Sequence, residues 1–202
     1  MKINYFDLGL YRGEEIEMFL KAIHDLNVEY EIFGFEAHPK FAESVKFRYE
    51  SNPKVHIHNL AIGKSSKKEK LYISDVSNGQ GNSIFSTKAG VGQKYVEVNS
   101  ISLVEWVKEN VKDFDTSLNI IRFNIEGAEL YLIEDIIDNN FVNYFKLYLG
   151  SIPGRDIQRV GEIEHEYNRF INLLKENKID ILPFCKELRN NVDLTKLILE
   201  HI

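Results

Sequence analysis

The segments INYFDLGLYRG, residues 3–13, and EIFGFEAHP, residues 31–39, decide the fold of this chain. Each contains a short apolar run that ends in an acidic residue, Asp7 in the first and Glu36 in the second. A glycine turn follows the first run, and an amphipathic helical pattern lies between the two. This order of strand, turn, helix and strand is typical of the unit that holds a nucleoside at the carboxyl edge of a parallel sheet.

The turn DLGLYRG places Gly9 and Gly13 where the backbone would approach a ligand and then enter a helix. It lacks the third glycine of the dinucleotide fingerprint, whose helix N-terminus takes up a pyrophosphate. A nucleoside without phosphate therefore fits better, and S-adenosylmethionine is such a ligand. Asp7 would meet its ammonium group and Glu36 would accept hydrogen bonds from both ribose hydroxyls. Alternatively, each carboxylate only caps the helix that follows it.

Composition predicts one globular domain over residues 1–202, because 44% of the residues are apolar and 28% are charged. The net charge of −6 gives no general attraction for nucleic acid or an anionic membrane. The one basic cluster lies in GKSSKKEK, which we expect at the tip of a hairpin between VHIHNLAI and LYIS. Its lysines are Lys64, Lys67, Lys68 and Lys70.

Cys185 is the only cysteine, which rules out an intrachain disulfide and is typical of a reducing compartment. The sequence starts directly in a predicted strand, and no apolar run reaches the length of a membrane span. We therefore expect a soluble, cytoplasmic protein without a membrane partner. Whether copies associate as a homo-oligomer stays open.

Alternating strand and helix patterns predict an α/β fold, a doubly wound, mostly parallel sheet with helices on both faces. The predicted strands are residues 2–6, 30–35, 54–60, 118–123, 144–149 and 179–184. The predicted helices are residues 14–26, 39–51, 102–110, 128–138 and 157–177. The tail after Asp193 fits either a last helix or an antiparallel edge strand.

The alternation breaks over residues 62–98, after the third strand, and predicts an inserted hairpin and loop there. Short β-like runs flank the polar stretch 75–93, which is rich in glycine. A loop of this length inside a compact domain is usually functional or disordered. Because Ile84 and Phe85 lie in its middle, we expect a lid or substrate loop; a free hairpin tip is the alternative.

A further acidic motif, FNIEGAE, ends the predicted fourth strand of the sheet. That strand adjoins the first at the switch point of a doubly wound sheet, so Asn124 and Glu126 would face the same crevice as Asp7. Gly127 would permit the close turn into the next helix. Glu129 fits a structural role, in which it complements the helix dipole.

These motifs, in this order, resemble the FkbM-type methyltransferases, a family of S-adenosylmethionine-dependent O-methyltransferases with the class I Rossmann-like fold. The resemblance covers residues 2–138. It rests on DLGLYRG, FGFEAHPKF, HNLAIG, GNSIF, VEVNSISLVEW and FNIEGAE.

The resemblance implies a role for each motif. It places Asp7, Gly9 and Gly13 along the methionine part of the cofactor, Glu36 on the ribose, and Asn59 with Ala61 near the adenine. It places Ser83 in the loop over the site and residues 124–129 beside the transferring methyl. Glu126, with Asn124 next to it, would then orient or deprotonate a hydroxyl of a sugar, a glycan or a small metabolite. No cluster of residues predicts a metal site.

Two positions differ from the family pattern. Asn124 stands where the family usually has Asp, and an amide cannot act as a base. Arg12 would put a cation beside a sulfonium ligand unless Glu14 or Glu15 neutralises it. These differences motivate an alternative, a catalytically silent domain that binds S-adenosylmethionine or S-adenosylhomocysteine within a complex. A nicotinamide-dependent oxidoreductase is disfavoured, because the third fingerprint glycine is missing.

Overall fold

A computed structural model describes residues 1–75, 80–151, 154–160, 164–186 and 188–202. Within these ranges the strands are β1 (Lys2–Leu8), β2 (Glu29–Phe35), β3 (Val55–His58), β4 (Ala61–Ile62), β5 (Lys67–Ser74), β6 (Val91–Ile101), β7 (Leu118–Phe123), β8 (Phe145–Gly150) and β9 (Ile181–Pro183). The α-helices are α1 (Glu14–Ile23), α2 (Pro39–Arg48), α3 (Leu103–Asn110), α4 (Glu129–Asp138), α5 (Arg155–Gln158), α6 (Glu164–Glu176) and α7 (Leu194–Leu199).

The main sheet has six strands in the order β3-β2-β1-β7-β8-β9, and every neighbouring pair is parallel. The strand order reverses between β1 and β7, which makes the carboxyl ends of these strands the topological switch point. Asp7 on β1 pairs in register with Gly34 on β2 and with Arg122 on β7. The predicted doubly wound parallel sheet is confirmed.

Helices pack on both faces of this sheet because each presents an apolar stripe to it. On one face, α1 buries Phe19, whose ring stacks on Tyr5 of β1 with centroids 4.2 Å apart. On the other face, α4 buries Leu132 and Ile136 in a second cluster with Phe6. The strands are therefore apolar on both sides, as expected for a covered parallel sheet.

A second, three-stranded sheet, in the order β4-β6-β5, occupies the region predicted as an insertion. β6 pairs parallel with β4 and antiparallel with β5, so the hairpin is formed by β5 and β6. The prediction that GKSSKKEK forms the tip of a hairpin is therefore wrong. Lys67, Lys68 and Lys70 lie in β5, and only Lys64 precedes it. The long strand β6 pairs with β4 on one side and with β5 on the other. The short apolar run within its sequence does not predict these pairings.

Two further expectations are corrected or decided near the C-terminus. The helix predicted over residues 157–177 is two helices, α5 and α6. The carbonyl of Arg159, just after α5, accepts a hydrogen bond from the backbone N–H of Ala89 at 2.6 Å instead of continuing a helix. The tail is a helix, α7, and the Asp193 side chain caps it by accepting from the Lys196 N–H. None of the helices in the described ranges is both long and apolar enough to cross a membrane.

Candidate functional site

A cavity of about 400 Å³ opens at the carboxyl edge of the main sheet. Its wall combines the turn after β1, the end of β2, the second sheet, and the segments that follow β7 and β8. The volume lies in the range of small-molecule pockets, and the position is the one where open α/β sheets bind ligands. We therefore take this cavity as the candidate site.

Gly9 lines the cavity at the turn after β1 and adopts a φ of 85°, in the left-handed region. Its N–H donates to the carbonyl of Phe35 at 2.9 Å. A Cβ built on Gly9 would lie 2.2 Å from the carbonyl oxygen of Asn124. Gly13 also has a positive φ of 71° and precedes α1, but it faces Val45 outside the cavity lining.

Replacing Gly9 by alanine is expected to lower the free energy of unfolding by about 1–3 kcal/mol or more, because a strained φ adds to a backbone collision. Gly81→Ala is the matched control, since Gly81 has a φ of 81° but the nearest atom to its added Cβ lies 3.5 Å away. Urea unfolding of both variants measures the difference. Equal losses in the two variants would show that the close approach to Asn124 has no energetic effect.

Glu36 follows β2 and lines the cavity, although its side chain is buried. One carboxylate oxygen accepts the Tyr11 N–H at 2.8 Å, and the other accepts the His38 N–H at 2.7 Å. Burial raises the pKa of Glu36, while these two N–H groups oppose that rise. Each oxygen keeps a lone pair, so the carboxylate is held in a fixed orientation and can accept two more hydrogen bonds.

The two residues predicted near an adenine have different positions. Ala61 lines the cavity together with Leu60, Ile62 and Leu71, which form an apolar wall beside Glu36. Asn59 is exposed and lies outside the lining. Its amide donates to the carbonyls of Glu36 and Ala37 at 2.9 and 2.8 Å, so it fixes the backbone that carries Glu36.

Asp7 is fully buried and does not line the cavity, in contrast to the expected contact with a ligand. It accepts a hydrogen bond from Arg122 at 3.1 Å, and Arg122 also contacts Glu15 at 3.2 Å and the carbonyl of Gly9 at 3.0 Å. Arg122 itself lines the cavity. Asp7 therefore acts on the site through Arg122 and the glycine turn.

The buried cluster of Asp7, Glu15 and Arg122 has two carboxylates for one guanidinium. Burial raises the pKa of Asp7 to about 7 in spite of the attraction of Arg122. Burial alone would lower the pKa of Arg122, but Asp7 and Glu15 outweigh it and raise that pKa. Arg122 thus stays cationic, and the cluster readily takes up one proton.

Glu126 lines the cavity in the turn after β7, with a φ of 58° that is unusual for a residue other than glycine. Its carboxylate forms an ion pair with the ammonium of Lys88, which is only 4% exposed. Lys88 also donates to the carbonyl of Gly81 at 3.0 Å. Asn124 lines the cavity beside them, with its side-chain oxygen 3.5 Å from the Ser151 hydroxyl.

Ser83 is buried and lies outside the lining, although its neighbours Asn82 and Ile84 belong to it. Its hydroxyl donates to the carbonyl of Glu126 at 2.7 Å. The segment from residue 80 to residue 90 is thus attached to the turn after β7 at two points, through Ser83 and through Lys88. Gly79, part of the predicted loop, lies outside the described residues.

Glu129 holds the turn that carries Glu126. Its two carboxylate oxygens accept the N–H groups of Ile125 at 3.0 Å and Gly127 at 2.8 Å. Burial raises the pKa of Glu129 to about 7, and the nearby Asp156 contributes. These contacts agree with a structural role for this residue.

The free energy of unfolding should therefore fall as the pH rises from the ordinary Glu pKa of 4.5 towards 7. A carboxyl group whose pKa is raised on folding binds more protons in the folded state, so its stabilising contribution is full at low pH and is lost as pH rises. Glu129→Gln removes this group, and the decline should be shallower in the variant. Urea unfolding at several pH values in this window measures the slopes. Parallel slopes would contradict the shifted pKa.

Among the described residues, four cationic side chains line the cavity that the sequence analysis did not predict there: Lys88, Arg122, Arg155 and Arg159. Arg122 interrupts the apolar run LNIIRF, and a charged residue in a buried strand signals a buried partner. Lys88 stands alone in a glycine-rich loop and gives no such signal. Arg12, which was expected beside the ligand, is exposed and lies 5.0 Å from the centre of the Tyr11 ring.

With this geometry established, comparisons with known proteins identify the family. The model of the methyltransferase FkbM domain matches residues 7–182, most of the chain. The chain belongs to the FkbM methyltransferase family. The match begins at Asp7 and includes every residue of the site described above up to Arg159.

The fold of this chain is similar to the crystal structure of a methyltransferase FkbM from Methylobacillus flagellatus KT. The TM-score is 0.50 at 12% sequence identity, and the alignment covers 84% of this chain and 37% of that one. At this identity the likeness shows the fold alone. The chain thus spans little more than a third of that protein, and no curated protein matches it significantly.

Proposed function

We propose that the protein is an S-adenosylmethionine-dependent O-methyltransferase that acts on a hydroxyl of a sugar, a glycan or a small metabolite. The observation that carries the proposal is Glu36, a buried carboxylate at the carboxyl end of β2 whose two oxygens are oriented towards a cavity by backbone N–H groups. Such a carboxylate can accept hydrogen bonds from both hydroxyls of a ribose. Family membership supports the choice of methyl transfer.

The residues of the cavity fit S-adenosylmethionine in three respects. The apolar wall of Leu60, Ala61 and Leu71 beside Glu36 suits the adenine ring. At Gly9 the backbone itself forms the wall, and a side chain there would collide with Asn124. The exposed Arg12 lies outside the lining, so it brings no cation to a sulfonium. When bound, S-adenosylmethionine supplies an electrophilic methyl group.

The chain's own contribution to transfer would be to orient a hydroxyl and to accept its proton. Glu126 is the carboxylate at the β7 end of the cavity, and the Lys88 ammonium fixes its position. Asn124 offers an amide next to it for orienting the hydroxyl. The segment from residue 80 to residue 90, attached through Ser83 and Lys88, would exclude water from the reacting groups.

Methyl transfer from labelled S-adenosylmethionine to a panel of sugars, oligosaccharides and hydroxylated metabolites tests the proposal. We expect label in a product that resists alkaline hydrolysis, as a methyl ether does and a methyl ester does not. Label released by base would contradict O-methylation of an alcohol.

A catalytically silent binding domain is the second candidate, favoured by two observations. Asn124 is an amide at the position where the family resemblance implies an Asp, and Glu126 is already paired with Lys88. Tight binding of S-adenosylmethionine without turnover on the whole panel would support it over the enzyme.

A further inference from the structure

Two arginines line the cavity at its β8 end. Arg155 begins α5 and Arg159 follows it by one helical turn, so the two project from the same face. Both contact the same carboxylate, since Asp156 lies 3.0 Å from Arg155 and 3.3 Å from Arg159. Asp156 is only 3% exposed, and it holds the two guanidinium groups side by side.

The charges at this end of the cavity do not balance among the described residues. The other two cations of the lining have their own carboxylates, Glu126 for Lys88, and Asp7 with Glu15 for Arg122. Arg155 and Arg159, in contrast, share Asp156 as their ion-pair partner in the described part of the chain.

Glu126 also attracts Arg155 electrostatically, but its carboxylate already forms an ion pair with Lys88. Glu129, which interacts electrostatically with Asp156, forms no ion pair with either arginine within the described part of the chain; its oxygens hold the N–H groups of Ile125 and Gly127. In addition, the Nε of Arg155 is buried and makes no hydrogen bond within the described part of the chain. A buried donor without a partner is destabilising unless a water molecule or a ligand accepts its hydrogen bond.

The strand order fixes where this positive end lies relative to the proposed nucleoside. Glu36 follows β2, whereas Ser151 and then Arg155 follow β8, three strands away in the sheet. At a strand spacing of about 4.8 Å, the two ends are roughly 14 Å apart. Asn124 and Glu126, after β7, lie between them. The arginines are therefore on the far side of the proposed reacting groups, where an acceptor would bind.

We propose that the methyl acceptor carries an anionic group, a carboxylate or a phosphate, that Arg155 and Arg159 bind at the β8 end of the cavity; this rests on the proposed function. Guanidinium groups form paired, charge-assisted hydrogen bonds with either anion. An acidic sugar or a sugar phosphate would place a hydroxyl towards Glu126 while its anion neutralises the arginines.

The test is calorimetric titration of the protein saturated with S-adenosylhomocysteine. The probes are glucuronate, glucose 6-phosphate and uncharged glucose. We expect at least one acid to bind about tenfold more tightly than glucose, and the acid that binds distinguishes a carboxylate from a phosphate. Arg159→Gln should weaken that binding about tenfold, and S-adenosylhomocysteine affinity should change less than about twofold.

Arg159→Gln keeps the contact of Arg155 with Asp156, so we expect the variant to fold. Arg169→Gln is the matched control, because the Arg169 side chain is 53% exposed, as is that of Arg159, and also has a carboxylate partner, Glu134. It should bind the acid like the unchanged protein. If glucose binds as tightly as both acids, or if Arg159→Gln binds the acid with unchanged affinity, this inference is overturned. The proposed function is not affected by either result. Failure to bind S-adenosylhomocysteine would overturn the proposed function and this inference with it.

Discussion

Replacing Glu36 by alanine is expected to weaken the binding of S-adenosylhomocysteine about 100-fold, because two hydrogen bonds between ribose hydroxyls and a charged group are lost. The structure holds this carboxylate by the N–H groups of Tyr11 and His38, so the bound geometry needs no rearrangement of the side chain. Calorimetric titration of the variant and the unchanged protein measures the ratio of dissociation constants.

The control for this prediction is Glu43→Ala. Glu43 lies on α2, close in sequence to Glu36, but it is exposed and outside the cavity lining. It should bind S-adenosylhomocysteine like the unchanged protein. Thermal unfolding of both variants shows whether the N–H groups left by Glu36 destabilise the fold. If Glu36→Ala remains folded and its affinity is unchanged, Glu36 is not a ribose ligand.

Replacing Arg122 by methionine is expected to lower the free energy of unfolding by about 3–5 kcal/mol near neutral pH. The change leaves Asp7 and Glu15 buried without their cation. Arg48→Met is the control, because Arg48 forms an exposed ion pair with Glu17, and such pairs contribute about 1 kcal/mol or less. Urea unfolding of both variants gives the comparison.

The decrease in the free energy of unfolding caused by Arg122→Met should become smaller as the pH is lowered. Burial already raises the pKa of Asp7 to about 7, and removal of the guanidinium raises it further. A carboxyl with a raised folded-state pKa stabilises the folded state below its unfolded pKa and loses that contribution as pH rises. The double variant Asp7→Asn with Arg122→Met should be more stable than Arg122→Met alone. A loss as small as that of Arg48→Met would contradict a buried charge cluster.

The sequence predicted most of the main sheet because its strands are short apolar runs separated by amphipathic helices. The end of β2 at Glu36 and the end of β7 near Asn124 were placed correctly for the same reason. Parallel strands end at one edge, so local pattern and strand order together bring these residues to one cavity.

The rest depends on contacts between residues far apart in the chain. An acidic residue at a strand end suggests a ligand, but Asp7 pairs with Arg122, which is 115 residues away. The second sheet was misjudged because β6 pairs with β4 and β5, and pairing partners are not visible in a single strand's pattern. Arg155 and Arg159 are four residues apart in RDIQR, but their common partner Asp156 and their place in the cavity depend on the folded structure.

The most direct test of the central claim, that this cavity holds an adenosyl nucleoside through Glu36, is calorimetric titration of the unchanged protein with S-adenosylhomocysteine and, separately, with NAD. We expect one molecule of S-adenosylhomocysteine to bind per chain and NAD not to bind. Binding of NAD without binding of S-adenosylhomocysteine would contradict the claim.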